Sequence, residues 1–205
     1  MNFKSESEQQ LEDIREIRNL MERSSRFISL SGLSGIFAGI FALLGAGAAW
    51  WYLWKVFPEL PGDSYRELYT FLFADAIIVL ALSLSAGVLF TTRNAKRKGQ
   101  PIWDITSRHL LINLAIPLIA GGFFCLILLD QRPQLIASAT LLFYGLALIN
   151  ASKYTVTDIR TLGLCEIALG LISATIQGYS LIFWAIGFGV LHIIYGTVMY
   201  YKYER

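Results

Sequence analysis

Three ionisable side chains stand inside long apolar segments of the sequence: Asp75, Glu166 and His192. Ionisable groups are costly to bury in the hydrocarbon core of a membrane, so they usually mark a ligand site, an ion path or a proton relay. A glutamate beside a histidine can hold a proton, bind a cation or bind a polar ligand, because each group alters the proton affinity of the other. We therefore interpret Glu166, His192 and Asp75 as candidate residues of a ligand or proton site. The alternative is that they only tie helices together through hydrogen bonds.

The positions of Glu166 and His192 predict that the two side chains meet. A very short turn separates the apolar segments that carry them, so these segments should be antiparallel neighbours. With a helical rise of about 1.5 Å per residue, Glu166 lies about 9 Å beyond Arg160, and His192 lies about 15 Å from Lys202 on the same side of the membrane. Asp75 enters from the opposite side, where it can face a watery vestibule.

The elements that position these residues are predicted to be membrane-spanning helices. Hydrophobic residues make up 55% of the 205 residues and charged residues only 16%, whereas a soluble domain has about 25% charged residues. Crossing a bilayer takes about 20 apolar residues. Six apolar runs meet this need, and we predict an all-α integral membrane protein, a six-transmembrane-helix bundle that occupies residues 26–205. The predicted spans are about 27–54, 68–92, 109–129, 133–151, 159–176 and 180–201.

The distribution of basic residues predicts the orientation of the chain. Lys and Arg collect on the cytoplasmic side of membrane proteins, and fourteen of the seventeen fall on the side that holds both termini. Only Lys55, Arg66 and Arg132 fall on the other side. We therefore expect a multi-pass protein with its N-terminus and C-terminus in the cytoplasm. The basic loop from Arg93 to Lys98 lies on this side and can attract anionic lipid headgroups.

Residues 1–25 are predicted to form a cytoplasmic amphipathic helix. Leu11, Ile14, Ile17 and Met21 fall on one face of this helical arm, with acidic and basic residues on the other. The arm can pack beneath the bundle, lie on the membrane surface, or pair with a protein partner or a second copy in a homo-oligomer. Its heptads are too few to identify a coiled coil.

Loose similarities along the chain suggest three repeated helical hairpins. Each odd-numbered span starts with an arginine, and a polar or small residue follows five positions later: Ser31, Asn113 and Cys165. Each even-numbered span carries a glycine before its inner end: Gly87, Gly145 and Gly196. Cytoplasmic positive charge alone would also place a base at each of those starts, so the pattern is a hypothesis.

Two further features concern helix packing. Gly35 and Gly39 form a G-x-x-x-G pair, which lets helices approach closely, and packing inside the bundle is favoured over dimerisation. Pro117 can open or kink the third span and expose backbone carbonyl groups to a cavity.

Sequence motifs of common enzymes are absent from the chain. It has no H-E-x-x-H, no G-x-S-x-G and no P-loop, and we expect no metal, no other cofactor and no nucleic-acid partner. Three functions stay open: a small transport or ligand-binding bundle, a non-catalytic scaffold or sensor that acts through its N-terminal arm, and a membrane-embedded lipid-modifying enzyme. The last is the weakest, because no paired carboxylates or nucleophile constellation are present.

Two stretches, Ser24 to Gly35 and Tyr144 to Glu166, carry a resemblance to a known family. They resemble a family of conserved bacterial six-helix membrane proteins that has no assigned activity, and the similarity runs the length of the chain. The resemblance implies a bacterial inner membrane and draws attention to a polar cluster beside the fourth connection, which we interpret as a cytoplasmic mouth. Its residues are Asn150, Lys153, Tyr154, Asp158 and Arg160.

Overall fold

The computed structural model describes residues 13–14, 17, 30–59, 65–99, 101–176 and 178–205, which are predominantly helical. Within this described part there is no β-strand. Pro133–Leu135 forms a 3-10 turn that leads into the fourth helix, and a π-helical turn, Tyr52–Val56, extends the first. The six helices are α1 (Gly32–Trp51), α2 (Tyr65–Arg97), α3 (Ile105–Gln131), α4 (Ile136–Ala151), α5 (Asp158–Thr175) and α6 (Ser180–Tyr203).

Five of these six described helices are long and apolar enough to cross a membrane. They are α1 with its extension to Glu59, α2, α3, α4 with its preceding turn, and α6. Helix α5 falls outside this set, and its 18 residues include three charged side chains, Asp158, Arg160 and Glu166. The structure therefore agrees with the predicted all-helical, multi-pass membrane protein and with the predicted number of helices.

The helices pack in an order that differs from their order in the sequence. Helix α2 packs on α1, α1 packs on α6, α6 contacts both α4 and α5, and α4 also packs on α3. Helices α4, α5 and α6 thus form the central group, while α2 and α3 lie at the periphery. Both peripheral helices expose large apolar side chains, such as Ile77 and Leu84 on α2 and Ile116 and Ile119 on α3, as a lipid-facing surface requires.

Glycines bring the backbones of two helix pairs into direct contact. A Cβ atom added to Gly145 of α4 would lie 2.6 Å from the carbonyl oxygen of Gly163 of α5, and one added to Gly163 would lie 2.8 Å from that of Gly145. At the contact between α1 and α6, a Cβ on Gly35 would lie 3.1 Å from the Cα of Gly196. The prediction that the G-x-x-x-G pair packs inside the bundle is therefore confirmed.

The predicted threefold repeat of hairpins is only partly reflected in these contacts. Gly145 and Gly196 both contact the backbone of a neighbouring helix, as equivalent positions of a repeat would. A Cβ added to Gly87, their predicted counterpart on α2, would meet nothing within 4 Å. The third position of the proposed repeat therefore lacks the packing role of the other two.

Pro117 breaks the hydrogen-bond ladder of α3, and a side chain of α4 compensates. Proline has no N–H group, so the carbonyl oxygen of Asn113, four residues earlier, loses its helical donor. The Nδ2 atom of Asn150 donates to that oxygen at 2.9 Å. The carbonyl that the sequence led us to expect in a cavity is instead bonded to α4.

The start of α1 and the start of α5 are both bonded to the end of α6. The Glu204 carboxylate accepts hydrogen bonds from the backbone N–H of Gly32 and, at 3.1 Å, from the Ser31 hydroxyl. A carboxylate here compensates the unpaired N–H groups and the positive end of the helix dipole. Asp158 accepts hydrogen bonds from Lys202 at 2.7 Å and from Tyr203 at 2.8 Å.

Most of the predicted N-terminal arm lies outside the described residues. Of residues 1–25, the structure describes Asp13, Ile14 and Ile17, which are helical and exposed. The two cysteines, Cys125 and Cys165, are free thiols.

The bond between Asn150 and the Asn113 carbonyl generates a coupled prediction. Asn150→Ala leaves that carbonyl unpaired in the membrane and should lower the free energy of unfolding by about 1 to 2 kcal/mol. In a Pro117→Ala background the new N–H of residue 117 supplies the missing donor, so the same change should cost under about 0.5 kcal/mol. Equilibrium unfolding in detergent micelles measures both values.

Asn113→Ala serves as the control for this cycle. It removes an exposed side-chain bond to the His109 carbonyl on the same helix, and it should change stability little. Equal costs of Asn150→Ala in the two backgrounds would contradict the proposed compensation.

Candidate functional site

The carboxyl group of Glu166 is enclosed between α4, α5 and α6. None of its side chain is exposed. Glu166 follows Gly163 by one helical turn, so it lies on the face of α5 that approaches α4 most closely. A Cβ added to Gly187 of α6 would lie 2.5 Å from Glu166 Oε2 and 2.5 Å from Leu141 Cδ2. The missing side chain of Gly187 therefore makes the space that the carboxyl group occupies.

His192 lies beside this carboxyl group and bonds to two other groups. Its Nδ1 atom is 3.5 Å from Glu166 Oε1 and 3.0 Å from the carbonyl oxygen of Gly187. A carbonyl oxygen only accepts, so Nδ1 carries a hydrogen and donates it. In the neutral ring Nε2 is then an acceptor, and the Tyr144 hydroxyl, 2.8 Å away, donates to it. Glu166 and His192 thus meet, as their positions in the sequence predicted.

Tyr144 completes this group, and sequence reasoning missed it as a site residue. It lies on α4, directly before the packing glycine Gly145. A hydroxyl-bearing aromatic residue in the middle of an apolar run is a signal that could have identified it, because a buried tyrosine hydroxyl usually has a hydrogen-bond partner. We call Glu166, His192 and Tyr144 the buried triad.

Both carboxyl oxygens of Glu166 lack a hydrogen-bond partner among the described residues. The 3.5 Å separation from His192 Nδ1 is longer than a normal N–H to O hydrogen bond. Buried polar atoms are nearly always bonded, and an isolated ionised carboxylate is very costly in a medium of low dielectric constant. A bound proton, or charge shared with His192, would stabilise the carboxyl group in these surroundings, and an exchangeable proton is chemistry that this arrangement supports.

Aromatic rings and a wider helical turn surround the triad on α6. Residues Ala185–Leu191 form a π-helix that ends directly before His192, and such turns occur frequently at functional sites. The ring of Phe188 lies 4.9 Å from that of Tyr144 and 5.9 Å from that of His192, and it also contacts Trp184 at 5.0 Å. These rings shield the triad from one side.

A second buried hydrogen bond closes the contact between α4 and α5 beyond Glu166. The hydroxyl groups of Ser138 and Ser173 are 2.8 Å apart, and both side chains are buried. Ser173 lies seven residues after Glu166, which corresponds to about 10 Å along the helix. The triad is thus enclosed towards the Ser173 end of α5.

The remaining predicted site residues do not join the triad. Asp75 lies on α2, where its carboxylate oxygens are 3.3 and 3.4 Å from where a Cβ of Gly45 on α1 would be. The five residues interpreted as a cytoplasmic mouth are likewise separate from the triad. Asn150 bonds to α3, and Asp158 bonds to α6. Tyr154 lies 5.6 Å from the ring of His109, and Lys153 and Arg160 are exposed. In the described part of the chain, no group of three or more His, Cys, Asp or Glu side chains is placed to hold a metal ion.

The contact between Gly187 and Glu166 predicts a dependence between the two positions. Gly187→Ala places a methyl group against the Glu166 carboxyl and should lower the free energy of unfolding by about 1 to 3 kcal/mol. In a Glu166→Ala background the carboxyl group is gone and only the flexible end of Leu141 remains at 2.5 Å, so Gly187→Ala should cost less. Gly47→Ala is the control, because a Cβ there would meet nothing within 4 Å. Additive effects of the Gly187 and Glu166 changes would contradict this account of the site.

Compared with known proteins, the chain matches no family model, no curated protein and no solved structure. The interpretation of the buried triad therefore rests on its own geometry.

Proposed function

We propose that this protein is a small transport or ligand-binding bundle whose working site, the buried triad, takes up and releases a proton. The observation that carries the proposal is the Glu166 carboxyl group, which is fully buried and has no hydrogen-bond partner among the described residues. Intramembrane carboxyl and histidine groups of this kind are typical of the proton relays of pumps and transporters.

The space at the carboxyl group favours a proton over a larger ligand. Glu166 Oε2 lies so close to Gly187 that a methyl group there would be within 2.5 Å of it. A hard cation needs several oxygen ligands at about 2.0 to 2.6 Å, and beside Glu166 the nearby Gly187 carbonyl already accepts from His192. A proton requires neither additional ligands nor additional volume.

The three members of the triad can exchange that proton without separating. Release from Glu166 leaves a carboxylate that attracts the Nδ1–H of His192, and this hydrogen can be shared between Glu166 Oε1 and the Gly187 carbonyl. If His192 takes up a proton on Nε2, the Tyr144 oxygen changes from donor to acceptor. Proton release from Glu166 alters the hydrogen bond of His192 on α6, and proton uptake by His192 alters that of Tyr144 on α4. These changes link proton binding to helix packing.

The same proposal includes six crossings of a bacterial inner membrane, with both termini in the cytoplasm. Helix α5 lies alongside α4 from the Gly145–Gly163 contact to the Ser138–Ser173 hydrogen bond, a length of about 10 Å on α4 and about 15 Å on α5. Because α4 is apolar enough to cross, an antiparallel neighbour in contact over this length should cross with it. The distribution of Lys and Arg supports the orientation.

Reporter fusions test this topology. A reporter that is active only in the cytoplasm should be active when it follows Arg205 and inactive when it replaces the turn at Arg132. The opposite pattern would contradict the proposed orientation, and activity at both positions would contradict the odd number of crossings between them.

Replacement of Glu166 tests the proposed function. In the wild-type protein, infrared difference spectra between high and low pH should contain the C=O stretch of a protonated carboxyl group, and Glu166→Gln should remove it. Proton uptake into liposomes that contain the protein is followed with an internal pH-sensitive dye. In Glu166→Gln this uptake should fall by at least about tenfold relative to the wild-type protein, as expected for the loss of a group that binds the moving proton.

Glu67→Gln is the matched control, since Glu67 is an exposed glutamate in the first turn of α2. It should leave both the infrared band and the proton uptake unchanged. Folding of each variant is checked by circular dichroism. An unchanged carboxyl band in a folded Glu166→Gln protein would overturn the proposal.

A further inference from the structure

Three tyrosines lie along one apolar cluster between the buried triad and the end of the bundle that carries Asp158. Tyr144, Tyr195 and Tyr203 all pack against this cluster, which is formed by Leu148, Val156, Ile159, Leu162 and Met199. At one end, the Tyr144 hydroxyl contacts His192. At the other end, the Tyr203 hydroxyl donates to the exposed ion pair of Asp158 and Lys202.

The middle tyrosine has a buried hydroxyl group for which the fold offers no partner. The Tyr195 oxygen is buried and makes no hydrogen bond among the described residues. Tyrosine hydroxyl groups that are buried usually find a partner, and each exception calls for an explanation. Phenylalanine would pack against the same apolar cluster without this cost, so the hydroxyl itself needs a role.

The three hydroxyl groups occupy successive depths. Tyr195 follows His192 by three residues, about 4.5 Å along α6, and Tyr203 lies about 12 Å further. His192 and Tyr203 are thus about 16 Å apart along α6, and Glu166 and Asp158, which lie beside them on α5, are about 12 Å apart. Along α6, Tyr195 thus lies between His192, which is beside Glu166, and Tyr203, which bonds to Asp158.

We propose that protons reach Glu166 from the Asp158 end of the bundle through the hydroxyl groups of Tyr203, Tyr195 and Tyr144. This inference rests on the proposed function and adds to it the side and the path of access. The other approaches are less suitable, because the Ser138–Ser173 bond closes α4 against α5 and the rings of Phe188 and Trp184 cover the triad.

Each step of the path conserves charge and atoms. A hydroxyl oxygen accepts a proton on a lone pair and releases its own hydrogen to the next acceptor, so no tyrosine changes its net charge after a complete transfer. Bridging water can connect hydroxyl groups that are too far apart for a direct bond. His192 accepts the proton on Nε2 and releases its Nδ1 hydrogen to Glu166 Oε1, 3.5 Å away, so the ring ends neutral and Glu166 is the final acceptor.

The charged and titratable groups that face this path come from three helices and from the segment after α2, where Lys98 donates to the backbone carbonyl of Tyr203 at 3.2 Å. Helix α4 contributes Tyr144, and α5 contributes Asp158 and Glu166. The residues from α6 are His192, Tyr195, Lys202 and Tyr203. The other residues on the cluster, Leu114 of α3 and Leu30 ahead of α1, carry no titratable group.

The rate of proton exchange at Glu166 in a variant without the Tyr195 hydroxyl tests the path. After a rapid pH change, the infrared band of the protonated Glu166 carboxyl in the full-length protein in liposomes gives both the rate of proton exchange and the pH at half-protonation. Tyr195→Phe should slow the exchange about tenfold, the change in rate expected when one hydrogen-bonding group is lost. The pH at half-protonation should stay close to the wild-type value, because the triad is intact.

Tyr201→Phe is the matched control. Tyr201 lies on the same helix, but 59% of it is exposed and it is not part of the cluster. It should exchange protons at the wild-type rate. Tyr203→Phe should slow the exchange as Tyr195→Phe does, and the double variant should be at most about twofold slower than the slower single one, because the times of steps in series add rather than multiply.

The outcomes separate the two proposals. A Glu166 band that titrates at the wild-type rate in Tyr195→Phe would overturn the path and leave the proton site standing. A wild-type protein without any titrating Glu166 band would overturn both. Slower exchange accompanied by a shifted pH at half-protonation would assign Tyr195 a structural effect on the triad and would also count against the path.

Discussion

The contact of helix backbones at Gly145 and Gly163 is the constraint on which the rest of the site depends. Without side chains between them, α4 and α5 come close enough for Glu166, one turn beyond Gly163, to be enclosed rather than left facing lipid. Gly187 does the same for α6, whose approach brings His192 to the carboxyl group. These three glycines therefore set how closely the helices approach around Glu166, and Gly187 is the one at which an added Cβ would meet the carboxyl group directly.

Few buried side-chain polar atoms in the described part of the structure lack a hydrogen-bond partner. Elsewhere the fold compensates such groups, as Asn150 does for the carbonyl released by Pro117 and as Glu204 does for the start of α1. The buried atoms without a partner among the described residues are the two Glu166 oxygens and the Tyr195 oxygen. The fold supplies a hydrogen-bond donor where Pro117 breaks α3, but its described part supplies no partner for the Glu166 oxygens or the Tyr195 oxygen. This contrast favours a functional role for these atoms.

The sequence predicted the helices well because a bilayer leaves few alternatives. Apolar length, basic flanks and a short turn between α5 and α6 were enough to place Glu166 beside His192. Tyr144 was missed because the contact between α4 and α6 depends on tertiary packing, which no local pattern reports. Pro117 was recognised as a break in α3, yet the donor that repairs it lies 37 residues away from the carbonyl. Asp75, although it has the same residue chemistry as Glu166, lies on a peripheral helix and shows that burial in an apolar run does not by itself assemble a site.

The capping of α1 by Glu204 has a consequence for biogenesis. The two bonded residues, Gly32 and Glu204, are separated by 172 positions, so α1 enters the membrane long before its cap is synthesised. During that interval the N–H groups at its start must be satisfied by water or lipid headgroups, which holds this end of α1 at the membrane interface. Completion of α6 then replaces those temporary partners with a carboxylate of the same chain, and the first helix acquires its final depth only when the sixth is in place.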